Sequence, residues 1–65
     1  MINKIGETAG SIYRTLEAQG ALSINKLKDQ INTDVFTTQA AIGWLAREDK
    51  IVIQKKGRSI LISLK

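Results

Sequence analysis

The sequence predicts an α+β domain in which three helices precede a β-hairpin, and three observations predict it. Apolar residues recur at helical spacing in three successive segments between Asn3 and Arg47. After Lys50 the pattern changes to two β-branched, partly alternating runs. The breaks fall at Gly20, Asn32 and Gly57, residue types that tolerate left-handed backbone.

The first helix is expected from about Asn3 to Ala18. Ile5, Ala9, Ile12 and Leu16 make one stripe at i, i+4, i+7 and i+11, with Tyr13 beside it. Asn3 is its expected N-cap, Glu7 suits the positive end of its dipole, and Gly20 supplies the stop. Gly6 and Gly10 weaken such a helix by roughly 1 kcal/mol each relative to Ala, and suggest close packing of another element. They are no phosphate loop, for the stretch Gly6 to Ser11 has no preceding strand and no lysine.

Ala21-Leu22 reads as a short extended bridge. Ser23 then caps a second helix, Ile24 to Ile31, with Ile24, Leu27 and Ile31 facing inward and Asn32 as left-handed cap. Thr33 or Asp34 caps the third helix after a turn of two or three residues. Val35, Thr38, Ala41, Ile42 and Leu45 form its core face; Phe36, Ala40, Gly43 and Trp44 gather opposite, with Arg47 below them. Ile51 to Lys55 and Ser59 to Leu64 are the strands, joined at Lys56-Gly57-Arg58. Ile51 and Ile53 share one face of the first, and Ile60, Ile62 and Leu64 one face of the second. Two helices joined by a tight turn, followed by a hairpin, make a winged helix-turn-helix with a two- to three-stranded antiparallel sheet.

With 65 residues the chain is read as one domain, residues 1–65, small enough to be marginal on its own. It has no Cys, His or Pro, so disulfides and zinc cannot staple it, and no metal or cofactor is expected. The missing Cys and His also remove the common nucleophile–base pairs, and its six acids are scattered, so an enzyme is not expected. Uninterrupted apolar runs do not exceed three residues and Met1 to Glu7 is no secretory signal; the chain is therefore expected to be cytoplasmic, with no membrane partner.

Net charge is +4, unevenly placed. Residues 33–50 carry a net −1, whereas Lys55, Lys56, Arg58 and Lys65 give the C-terminal segment +4 with no acid. A basic hairpin suggests an acidic partner such as double-stranded DNA. Its bland counterpart is a lysine-rich edge strand that resists edge-to-edge pairing.

Gly10-Ser11-Ile12-Tyr13, Leu22-Ser23 and above all Ile42-Gly43-Trp44-Leu45-Ala46-Arg47-Glu48 resemble a family of short bacterial and archaeal winged helix-turn-helix proteins of unknown function. The resemblance spans essentially the whole chain. It implies the winged helix fold and, by class, DNA binding, but carries no residue roles.

Two functional readings follow. In the first, a DNA-binding protein and small transcriptional regulator, the third helix enters the major groove with Thr37, Gln39 and Arg47. Lys55, Lys56 and Arg58 grip phosphate from the wing, and Lys26 and Lys28 add backbone contacts. In the alternative, the apolar outer face of Phe36, Ala40, Gly43 and Trp44 binds protein, most simply a second copy in a homodimer. The bland competitor folds Phe36 and Trp44 down over the core.

Overall fold

The computed structural model describes residues 2–65, with side chains described from Asn3 onward. Its elements are α1 (Ile2–Gln19), β1 (Leu22–Ser23), α2 (Ile24–Ile31), α3 (Val35–Arg47), β2 (Ile51–Lys56) and β3 (Ser59–Leu64). The strands form an antiparallel sheet in the order β1-β3-β2. The Ala21-Leu22 bridge is thus a third strand, shifted by one residue, with Leu22 opposite Ile62 and Ser23 opposite Leu61.

Local chemistry explains most boundaries. Gly20, at φ 80°, ends α1 and donates its N–H to the Leu16 carbonyl at 2.8 Å. The Ser23 hydroxyl accepts from the Lys26 N–H at 3.2 Å and so caps α2, which closes at left-handed Asn32. Asp34, not Thr33, stands at the N-cap position of α3. Two expectations for α1 fail for one reason: it starts at Ile2. Asn3 therefore lies inside the first turn and is no cap, and Glu7 falls beyond that turn.

The end of α3 holds a surprise. Lys50 donates its N–H to the Leu45 carbonyl and Asp49 donates to the Ala46 carbonyl, both at 3.0 Å, with Asp49 at φ 62°. This is the paired closure in which glycine usually takes the left-handed position. Asp49 takes it here, and its carboxylate meets the Lys65 ammonium at the end of the chain.

The hairpin is tighter than a three-residue loop. Lys56 pairs with Ser59, leaving Gly57-Arg58 as the turn, and Gly57 at φ 58° supplies the positive first position. Pairing sets Ile51, Ile53 and Lys55 opposite Leu64, Ile62 and Ile60, all on one face.

The core lies where α1, α2 and α3 meet the near end of this face. Ala9, Ile12, Leu16, Leu27, Ala41, Ile42, Leu45, Ile51 and Ile62 are buried there, with Ile5, Tyr13, Leu22, Ile24, Ile31 and Leu64 packed around them. Each fully enclosed Ile or Leu contributes about 1.5–3 kcal/mol through apolar burial. The core stops short of the wing tip: Ile53 is 49% exposed and Ile60 is exposed too, although both point to the inner face. Gln19 and Gln30 exchange amide hydrogen bonds and tie the end of α1 to α2.

Candidate functional site

The two faces of α3 separate sharply. Thr37, Thr38, Ala41, Ile42 and Leu45 are buried. The Thr38 hydroxyl donates to the Asp34 carbonyl at 2.9 Å, so its polarity is satisfied one turn back. Two residues move from their expected places. Val35, assigned to the core face, is half exposed, because the core direction is centred nearer Leu45 and Ala41 than the stripe alone implied. Thr37, expected to face DNA, is only 3% exposed and turns toward α1. It is not a groove-reading residue.

At ~100° per residue, the exposed half of α3 sweeps from Val35 through Gln39, Gly43, Phe36 and Arg47 to Trp44, with half-buried Ala40 at its α1 side. Phe36 is 60% exposed and Trp44 43% exposed, so neither folds down over the core. Gln39 and Arg47 are the polar side chains on this arc, the charged one at the last turn. A helix that reads base edges presents donors and acceptors along its outward face. This one presents mainly carbon.

Glycines sharpen the picture. A Cβ placed at Gly6 or Gly43 would meet nothing within 4 Å, and one at Gly10 would touch only the Arg14 guanidinium of its own helix. The expected close packing against Gly6 and Gly10 is therefore absent among the described residues. Gly6 and Gly10 instead line an open groove with Tyr13, Arg14, Trp44, Glu48 and Lys50, in which the Lys50 ammonium sits 5.9 Å from the Tyr13 ring centre.

The basic residues divide into separate groups. Lys55, Lys56 and Arg58 crowd the exposed end of the hairpin with no ion pair among the described residues, whereas Lys65 is engaged by Asp49. Lys26 is exposed on α2. Lys28 is half-buried and lines a small groove between α2 and α3 with Gln39 and Val35. Among the described residues, no three His, Cys, Asp or Glu side chains gather as a metal site, and no helix is long and apolar enough to cross a membrane.

A further concavity, which the sequence reading missed, lies between the first half of α1 and the α2–α3 turn. It is an open groove of about 800 Å³ lined by Lys4, Glu7, Thr8, Ser11, Ile31 and residues 32–34, 36 and 37. The Thr37 hydroxyl beside the Asp34 carboxylate holds that group below the ordinary value of 3.8; backbone amides and the Thr33 hydroxyl act with it and desolvation acts against it. Only the fold brings α1 to this turn.

A helix-turn-helix with a three-stranded sheet and a short basic wing defines the class: a winged helix domain. The chain belongs to the family described as a winged helix-turn-helix domain (DUF2582), whose model matches residues 1–64. It is 43% identical over 68 residues to the uncharacterised protein MJ1608 of Methanocaldococcus jannaschii, covering 100% of this chain and 96% of that protein. The solution NMR structure of protein BT2368 from Bacteroides thetaiotaomicron is similar at a TM-score of 0.85 and 37% identity, covering 95% of this chain and 76% of that one.

Proposed function

We propose that this protein is an interaction module that assembles through the outer face of α3, with a second copy as the simplest partner. The observation that carries this reading is the exposed arc itself: among the described residues of the three helices, Val35, Phe36 and Trp44 are the exposed large apolar side chains, and all stand on α3. Several large apolar side chains exposed on one helix mark an interface on a small domain, and a Trp flanked by small residues is a typical anchor. The open space over Gly6 and Gly43 fits the same reading, since it leaves room for a partner backbone to approach.

Sedimentation equilibrium tests it. The native protein is expected to dimerise, and Phe36→Asp to sediment as a folded monomer. Because Phe36 makes little use of the core, its replacement leaves the chemical shifts of Ile12, Leu16 and Leu27 in place. A native protein that stays monomeric at millimolar concentration would remove the homotypic reading.

A second reading is favoured by the wing. Lys55, Lys56 and Arg58 are exposed and have no acidic partner among the described residues, an arrangement suited to duplex phosphate. On this reading DNA is held by its backbone, and the winged helix serves as a duplex-binding protein of the regulator class. Gln39 and Arg47 are the polar groups α3 has to offer. The triple variant Lys55→Ala, Lys56→Ala, Arg58→Ala is expected to weaken duplex binding and flatten its dependence on salt by up to about three units of slope. Unchanged affinity would end the DNA reading while leaving the assembly reading intact.

A further inference from the structure

We propose that two copies of this chain meet by packing α3 antiparallel against α3, across a two-fold axis midway between the levels of Ala40 and Gly43. This inference rests on the assembly reading and adds to it the partner's face and its direction.

The seam comes from the spacing of the exposed arc. At ~100° per residue, Phe36, Ala40, Gly43 and Arg47 fall within roughly 60° of one another, at i, i+4, i+7 and i+11. That spacing is its own reverse. Beside a second copy pointing the other way, Ala40 faces the partner's Gly43 and Phe36 faces the partner's Arg47, and the two-fold repeats each contact.

The paired groups match in size and charge. Small side chains meet at the middle of the seam, where the helix backbones approach each other, and large ones meet at its ends. Gly43 has no explanation in the monomer. Inside a helix it costs roughly 1 kcal/mol relative to Ala, and a Cβ there would meet nothing within 4 Å. At the ends, the Arg47 guanidinium has no ion pair among the described residues and meets a Phe36 ring that is 60% exposed. A parallel pair would set Arg47 beside its own copy. The antiparallel pair holds the two copies of Arg47 roughly 16 Å apart along the axis, at ~1.5 Å rise per residue. The neighbouring acids do not oppose this direction: Glu48 lines the groove toward α1 with Arg14 and Lys50, and the Asp49 carboxylate is engaged by Lys65. Trp44, 43% exposed, stands on the α1 side of the seam. The two-fold brings both copies of Trp44 to that same side, about 7–8 Å apart along the axis, where they cover the small centre.

Isotope-filtered NOEs test the pairing in the native protein. An equal mixture of labelled and unlabelled chains is studied at a concentration where sedimentation shows the dimer, so that only contacts between copies are read. NOEs from the Phe36 ring to the Arg47 side chain, and from the Ala40 methyl to the Gly43 α-protons, are expected. Arg47→Ala removes both guanidinium–ring contacts of the dimer and should raise its dissociation constant about tenfold, with the exposed site leaving the fold intact. NOEs joining Phe36 to Phe36 or Arg47 to Arg47, or an unchanged dissociation constant in Arg47→Ala, would overturn the antiparallel pair and leave assembly through α3 standing. NOEs confined to other elements, or a native protein that stays monomeric, would overturn both.

Discussion

The inner and outer faces of α3 are built from much the same residue types and have opposite fates. Inside, Ala41, Ile42 and Leu45 are buried against α1 and β2; outside, Val35, Phe36 and Trp44 stand in solvent within the same 13 residues. In most surface helices polarity separates the two faces, and burial can be read from it. Here polarity separates them poorly, with Gln39 and Arg47 alone marking the outer side. Carbon facing water gains nothing inside the monomer, and this is the feature on which the proposed assembly rests.

The sharpest way to break the comparison is to truncate one side chain on each face. Leu45→Ala is expected to destabilise the monomer by about 2–5 kcal/mol, since it opens a cavity beneath α1. Phe36→Ala should change the unfolding free energy of a dilute sample by no more than about 0.5 kcal/mol, as an exposed substitution does. Urea melts at low and high protein concentration read both. A large loss for Phe36→Ala at every concentration would place that ring in the core and dissolve the distinction.

Glycine gives a second, smaller contrast. Gly6→Ala and Gly43→Ala both add a methyl where nothing lies within 4 Å, so in the monomer each should stabilise its helix by roughly 0.5–1 kcal/mol. Gly43 lies on the outer arc. Its methyl should therefore weaken self-association even as it stabilises the folded monomer. Concentration-dependent melts resolve the two effects, and equal stabilisation at all concentrations would remove Gly43 from any interface.

Much of the frame was legible because local chemistry dictates it. Ser23 and Asn32 bracket α2 through hydrogen bonds and backbone angles that depend on those residues alone. Gly20 and Gly57 mark their turns for the same reason. The Asp49 closure was hidden because the left-handed position carries a residue for which that conformation is uncommon. Thr37 and Val35 were misassigned by a small rotation of α3, which periodicity cannot fix when both faces are apolar. Ile53 and Ile60 share the inner face as their spacing implied, but register does not tell how far a core extends. The groove at Asp34 joins residues 4–11 to residues 31–37, and nothing short of the packed fold places those segments side by side.

The smallest expected effect concerns that groove. A carboxyl held below its unfolded value favours the folded state when ionised. For Asp34 the contribution is fully present above the ordinary value of 3.8, and is lost as the pH falls through the lower folded value. The group is exposed and water screens it, so the gain is slight. Asp34→Asn should therefore melt a little below the native protein at neutral pH, and the two melting temperatures should converge as the pH falls through the lowered folded value. A gap that persists in acid would assign the difference to the uncharged side chains, Asn against protonated Asp, at the N-cap of α3. A gap that closes assigns it to charge, the property by which this groove differs from the bare outer face of the same helix.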